Sequence, residues 1–364
     1  MNSPHMAFTL GPTPGRVVFG TGSVDRIADE VATLGLRRIM VVAAGSSAPV
    51  GAAIAERLGD VAVGTFDQVR QHVPEQLAAA ASDAARELSA DGVLTVGGGS
   101  AIGLGKAVAL DTGATVVAVP TTYSGSEMTS IYGVTGRHKR VGRDPVAQPR
   151  LVVYDPALTV GLPARVTATS GFNALAHCVE ALYAPGTDPL ARLHAVAGVH
   201  ALARSLPIAV EQPDDLDART QALFGAFLAG GALAVAGTAL HHKLCHVLGG
   251  TFGLEHGEVN AVLLPHVAAF NQPAVPEAMA QVADAMGSAD AASGLHDLAF
   301  RLGAPTSLAE LGMPADGLTE AARRAVDAVG DTNPRPVSAD GLCALLDDAY
   351  QGRHPSTVTS PSHR

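Results

Sequence analysis

Through the first ~155 residues, short β-branched runs alternate with Ala-rich stretches of helical spacing, the pattern of βαβ units around a parallel sheet. The spacing predicts strands over Arg16–Phe19, Arg38–Ala43, Val61–Phe66, Gly92–Val96, Thr115–Val119 and Leu151–Tyr154. Helices are predicted between them over Val24–Leu34, Gly51–Leu58, Pro74–Leu88 and Ala101–Leu110. Several of the strands are apolar without alternation, as expected when helices cover both faces of a sheet. After Asp155-Pro156 the strand pattern stops, and Ala and Leu recur at helical spacing, broken by turns at Pro185-Gly186, Gln212-Pro213 and Gly249-Gly250. The expected architecture is an α/β domain with a Rossmann-like parallel sheet over residues 1–157 and an all-α domain over 158–352. A loose tail rich in Ser, Pro and His is expected over 353–364.

Composition narrows the class. A chain of 364 residues that is 47% hydrophobic, with 40 Gly, is neither disordered nor collagenous nor a disulfide miniprotein. Cys178, Cys245 and Cys343 are odd in number and far apart, which argues against a disulfide framework. The net charge of -10 argues against a nucleic-acid partner, because phosphate binding needs a basic surface. No run reaches the ~18 to 20 unbroken apolar residues of a membrane span. Met1–Leu10 lacks the layout of a signal peptide, so the expectation is a cytoplasmic protein with no membrane partner. One count stands out: 14 His in a chain with no Trp and only 16% charged residues.

Two segments point to a nucleotide. Gly92-Val93-Leu94-Thr95-Val96 runs directly into Gly97-Gly98-Gly99-Ser100, and a helix follows. Glycines let the backbone approach an anion, and a helix N-terminus favours phosphate. The plainer reading is a tight βα turn chosen for backbone freedom. Its place at the carboxyl end of a parallel strand favours the phosphate reading. This is not the Gly-x-Gly-x-x-Gly fingerprint, so an ordinary Rossmann dehydrogenase does not follow. After the next strand comes Thr121-Thr122-Tyr123-Ser124-Gly125-Ser126, whose hydroxyls, at Thr121, Thr122 and Ser126, face the same crevice if the strands are neighbours. The second strand ends in Ala43-Ala44-Gly45-Ser46-Ser47 without the acidic residue that would select the ribose 2′-hydroxyl, so both NADH and NADPH are expected to serve.

The histidines cluster at helical spacing. Asn173 and His177 stand at i and i+4, His242 and His246 repeat that spacing, and His256 follows after Gly249-Gly250. Imidazoles from three segments that meet in one pocket can ligate a divalent metal, donate protons or bind anionic substrate groups. The spacing alone leaves metal or no metal open.

The chain resembles the iron-containing (group III) alcohol dehydrogenase superfamily, and within it the maleylacetate reductase branch, over nearly its whole length. The matching segments are Gly97-Gly98-Gly99-Ser100-Ala101-Ile102-Gly103-Leu104-Gly105-Lys106, Pro120 to Thr129, Asn173-Ala174-Leu175-Ala176-His177 and the long run His241 to Leu254. The resemblance implies a dehydroquinate synthase-like fold with a nucleotide-binding α/β domain and a helical domain, and a homodimer. Metal-dependent members bind iron or zinc through one Asp and three His. Those positions are here Asn173, His177, His242 and His256, while His246 matches a non-ligand histidine near the nicotinamide. The Asp is missing, and Gly103 stands where metal-dependent members carry a second Asp. An Asn carbonyl is a weaker, neutral donor, so the resemblance implies a metal-free enzyme with only vestigial ligand positions.

The implied reaction is NAD(P)H-dependent reduction of the conjugated C=C bond of maleylacetate to 3-oxoadipate, a step in aromatic-compound catabolism. The alternative is a metal-dependent alcohol dehydrogenase or carbonyl reductase acting on a small oxo acid, aldehyde or ketone. In the first reading His177, His242, His246 and His256 are the candidate catalytic residues, with His246 or His242 as donor to the developing enolate. His241, Lys243, Asn173 and Tyr123 are the candidate substrate contacts for a small dicarboxylate, helped by a second cationic run, Arg137-His138-Lys139-Arg140 with Arg143. Gly97, Gly98, Gly99, Ser100, Thr121, Thr122 and Ser126 are the candidate cofactor contacts.

Overall fold

The computed structural model of the chain describes residues 15–136 and 139–355, with Lys139 as backbone only. Arg137 and His138 of the cationic run, and residues 356–364 of the expected tail, lie outside the described residues. The strands are β1 (Arg16–Phe19), β2 (Ile39–Ala43), β3 (Ala62–Phe66), β4 (Gly92–Gly97), β5 (Thr115–Pro120), β6 (Ile131–Thr135), β7 (Lys139–Arg143) and β8 (Leu151–Tyr154). Six form one parallel sheet in the order β1-β8-β5-β4-β2-β3, and β6 and β7 form a separate antiparallel hairpin. All six sheet strands coincide with predicted ones. The hairpin has no counterpart in the prediction, because Gly133, Gly142 and three basic residues, Lys139, Arg140 and Arg143, break its apolar alternation.

Four helices cover the sheet: α1 (Ile27–Thr33), α2 (Ala48–Leu58), α3 (Glu75–Glu87) and α4 (Gly99–Thr112). β2 is buried along its whole length. Its residues Ile39, Val41 and Ala43 pack with Ile27, Val31, Ile54 and Leu58, while Met40 and Val42 pack with Ala78, Ala81, Leu104 and Val108. Side chains alternate across a strand, so one face meets α1 and α2 and the other α3 and α4. This two-sided burial explains why the strands read as unbroken apolar runs.

Chain direction then fixes a ligand position. From β2 the sheet grows outward to β3, and the next crossover returns past β2 to β4 and continues to β5. The order therefore reverses between β2 and β4. In such sheets ligands bind outside the carboxyl ends of the strands at the reversal, here Ala43 and Gly97.

After β8 the described residues hold no strand. The helices are α5 (Ala164–Ala181), α6 (Pro189–Glu211), α7 (Leu216–Ala236), α8 (Leu240–Phe252), α9 (His256–Asn271), α10 (Pro276–Met286), α11 (Ala291–Arg301), α12 (Leu318–Val329) and α13 (Ala339–Gln351). A core of Leu244, Leu248, Val259, Leu263, Val267, Leu342 and Leu346 joins α8, α9 and α13. The turn expected at Gly249-Gly250 lies inside α8. The helix ends three residues later, at Gly253, whose φ of 71° caps it in the left-handed conformation. The chain divides at Leu162/Pro163 rather than at 157/158, and Asp214–Leu223, the start of α7, groups with the sheet unit. Helices α6 and α7 are long and apolar enough to cross a membrane, but Arg192, Arg204, Asp217 and Arg219 interrupt them. Cys178, Cys245 and Cys343 are all free thiols.

One contact sets how closely helix and sheet approach. A Cβ on Gly105 of α4 would lie 2.3 Å from Thr95 Cγ2 of β4. Gly105→Val is expected to destabilise the fold by about 1–3 kcal/mol through overpacking, measured as a lowered thermal midpoint; an unchanged midpoint would contradict this contact.

Candidate active site

The glycine turn lies at the reversal. β4 ends at Gly97, whose φ of 144° is rarely adopted by residues with side chains, and Gly98 begins α4 with no side-chain cap. A Cβ on Gly98 would lie 2.8 Å from Thr122 Oγ1, so the end of β5 closes over the turn. Thr121 N–H donates to the Gly97 carbonyl at 3.0 Å, and Ser47 Oγ lies 3.3 Å from Thr121 Oγ1. Residues from the ends of β2, β4 and β5 thus surround the first turn of α4, and Ala44–Ser47 carries no acidic side chain. A side chain at Gly98 would collide with Thr122, and one at Gly97 would crowd Ala101, so the turn needs glycine at both positions.

Lys106, unassigned by the sequence reading, holds the neighbouring loop. Its buried ammonium donates to the carbonyls of Ser126 and Ile131, each at 2.7 Å, and to Thr129 Oγ1 at 3.1 Å. Burial pushes it down to about 7. Ser126 is therefore pinned from inside the fold. Tyr123, expected at the substrate, is wholly buried in the sheet unit with its hydroxyl 3.3 Å from Arg219 Nη1. That expectation is corrected: Tyr123 is a core residue with its polar end already engaged. At Gly103 a Cβ would meet Val73 Cγ2 at 3.0 Å, and Val73 itself has a φ of 46°. No larger side chain enters there unless Val73 moves.

In the helical unit, Asn173, His177 and Glu180 share one face of α5, at i, i+4 and i+7. His241, His242 and His246 come from α8, and His256 opens α9. The imidazoles gather as expected. His177 and His242 are stacked with ring centroids 4.3 Å apart and 10° between planes. His246 and His256 lie 5.7 Å apart, and His256 is 6.2 Å from His242. His246 is exposed and His256, Asn173 and Lys243 are half-buried.

Glu180 is the residue the sequence reading missed. Its Oε2 lies 2.6 Å from His242 Nδ1, and its Oε1 accepts the His241 backbone N–H at 2.8 Å. The one available signal was its position on the Asn173/His177 face of α5. Burial pushes the Glu180 carboxyl up, and it pushes His241 and His242 down to about 3 each, with His256 and Lys243 adding to the effect on His242. Burial thus favours the uncharged form of both imidazoles. His242 Nε2 is buried without a hydrogen-bond partner. His241 is different: its Nε2 lies 3.2 Å from the Asn260 carbonyl and its Nδ1 3.4 Å from His242 Nδ1, and the residue is fully buried. The expected substrate contact at His241 is replaced by a structural one.

The likeness to known proteins follows this division. Residues 14–156 match the family model described as iron-containing alcohol dehydrogenase, and residues 167–350 match its C-terminal counterpart, the Fe-containing alcohol dehydrogenase family. The chain belongs to the iron-containing alcohol dehydrogenase family. It is thus a nicotinamide-dependent oxidoreductase. It is 47% identical over 354 residues, 97% of its length and 100% of the relative's, to a maleylacetate reductase from Sphingobium indicum. The crystal structure of a maleylacetate reductase from Agrobacterium tumefaciens is similar at a TM-score of 0.91 and 43% identity, covering 96% of this chain and 100% of that one. An iron-containing alcohol dehydrogenase from Corynebacterium glutamicum superposes at a TM-score of 0.93 and 38% identity, covering 98% and 100% of the two chains.

Removing the Glu180 carboxylate strands a buried amide and a buried ring nitrogen. Glu180→Leu is expected to lose about 1–3 kcal/mol for each unsatisfied group, and Glu180→Gln, which can still accept and donate, to recover most of it. Thermal unfolding of both variants checks this, and a Glu180→Leu protein as stable as the parent would refute the pairing.

Proposed function

We propose that this chain reduces maleylacetate to 3-oxoadipate with NADH or NADPH, in the catabolism of aromatic compounds and without a resident metal. The observation that carries the reading is Asn173 at the carboxylate position of a four-histidine group, in a chain 47% identical over 354 residues to an enzyme with that activity in its name.

The donor set does not fit a resident dication. Asn173 replaces the anionic ligand, leaving only neutral donors. Stacked rings direct their in-plane lone pairs in parallel rather than toward one ion, and His177 and His242 are so stacked. Among the described residues, His177, His242 and His256 do not bring their ligand nitrogens within 4.8 Å of one another. Glu180, His241 and His242 do, but there the carboxylate is already bonded to His242 Nδ1 and to the His241 amide.

The conjugated substrate makes a Lewis acid dispensable. When bound, the reduced nicotinamide supplies a hydride to the carbon β to the ketone. Breaking the C=C π bond moves its electron pair onto the ketone oxygen as an enolate, and one proton taken up at carbon completes 3-oxoadipate. In the proposed roles His246 donates a hydrogen bond to that oxygen, His256 and His177 complete the pocket wall, and His242, fixed by Glu180, presents Nε2. Lys243 and Asn173 meet the carboxylates of the dianion. Gly97, Gly98, Gly99, Ser100, Thr121 and Thr122 hold the cofactor phosphates, with Ser126 beside them. Arg140 is already paired with Glu75 at 3.0 Å, so that run contributes less than the sequence implied. The same reading takes the protein as a cytoplasmic homodimer without nucleic-acid or membrane partners. The edge position of β1 and the exposure of Val17 support an intersubunit role for that strand.

With freshly generated maleylacetate, NADH and NADPH oxidation is expected to proceed equally with and without chelator; no turnover, or turnover abolished by chelator, overturns the reading. His246→Ala and His242→Ala should each lower kcat/KM well beyond threefold, about 0.65 kcal/mol. Losses within threefold would remove those residues from the proposed roles. The NADH to NADPH efficiency ratio is expected below roughly a thousandfold, or ~4 kcal/mol, since nothing after β2 repels a 2′-phosphate; a larger ratio would refute this.

A further inference from the structure

A second histidine group lies in the helical unit, outside the residues considered above. His266 comes from α9, His296 and Asp297 from α11, and His354 from the segment that follows α13. The His296 and His354 ring centroids are 4.7 Å apart. His296 Nδ1 is buried, has no hydrogen-bond partner, and lies 3.8 Å from Asp297 Oδ1. His354 Nδ1 is 3.2 Å from the Pro355 carbonyl, which fixes its N–H there and leaves Nε2 as the lone-pair nitrogen. His266 is buried beside them, and burial, with His296 and His354 nearby, pushes it down to about 4. Asp348 and Asp290 add negative charge next to His266 and His354 respectively.

We propose that His296, Asp297 and His354 form a binding site for a borderline first-row dication such as Zn²⁺, which ties the segment after α13 to α11. Ligand atoms of the three residues lie within 4.8 Å of one another. A tetrahedral ion with bonds of about 2.0–2.1 Å needs them about 3.3 Å apart. The gap closes by side-chain rotation, because Asp297 is 78% exposed and His354 lies in an irregular segment. Two imidazoles and one carboxylate suit zinc, cobalt or nickel rather than magnesium or calcium. Water completes the shell. Asp297 supplies an anionic ligand here, whereas the four-histidine group has the uncharged Asn173 at the corresponding place. Binding cross-links the segment after α13 to α11, so its effect falls on stability and not on turnover.

The test uses the full chain stripped of metal and titrated with Zn²⁺, and with Co²⁺ as a spectroscopic probe. The parent protein is expected to bind one equivalent that His354→Ala and Asp297→Asn each lose, with a Zn²⁺-dependent rise in thermal midpoint that also disappears in both variants. Basal NADH oxidation should be unchanged in each. Both substitutions are at surface positions, so folding is preserved, and His296→Gln gives a third, near-isosteric check. No binding by the parent protein, or the same stoichiometry and midpoint shift in the variants, overturns the proposal.

Discussion

The hydrogen bond from the His242 ring to the Glu180 carboxylate ties α5 to α8 inside the helical unit, and the four-histidine group depends on it. α5 presents Asn173 and His177 at i and i+4, and α8 presents His242 and His246 at the same spacing, but spacing alone says nothing about the rotation of one helix relative to the other. A carboxylate that accepts both the His241 amide and the His242 ring fixes that rotation. It also fixes which nitrogen of His242 faces outward, the usual work of a partner behind a metal-bound histidine. Here that partner stands behind a group whose position 173 is an uncharged Asn. In the proposed reduction the same support would aim an imidazole at a ketone oxygen.

Much of this was legible in the sequence, for physical reasons. Strands covered on both faces appear as unbroken apolar runs, so the six sheet strands could be read directly, as could the glycine turn at the end of β4. Histidines spaced by four residues announce one helix face without any knowledge of the partner helix. What escaped has a common cause: it depends on contacts between residues far apart in the chain. Glu180 looks like an ordinary helical acid until α8 is folded against it. Lys106 looks like a surface lysine, yet it is buried among the carbonyls of a loop twenty and more residues away. His241 and Tyr123 sit inside motifs that suggest ligand contacts, and only burial shows that their polar atoms are already used.

The two histidine groups also differ in electrostatic character. In the first, burial keeps His241 and His242 uncharged and the nearest carboxylate is committed to the protein itself. In the second, the Asp297 carboxylate remains available at the surface. A neutral array favours hydrogen bonding to a charge that develops during reaction. An open array with negative surroundings favours a resident cation.

The strained turn before α3 carries a different implication. His72 and Val73 both adopt left-handed backbone angles, unusual for a β-branched residue, and both of their carbonyls are held by Thr135: one by its hydroxyl at 2.7 Å, the other by its amide at 2.9 Å. Without those two bonds the turn has every reason to relax, at a gain of about 1–3 kcal/mol per strained residue. The strained turn over Gly103 is therefore held in place only while the β6–β7 hairpin supplies Thr135. Turn and hairpin are coupled: whatever opens the hairpin also releases this corner.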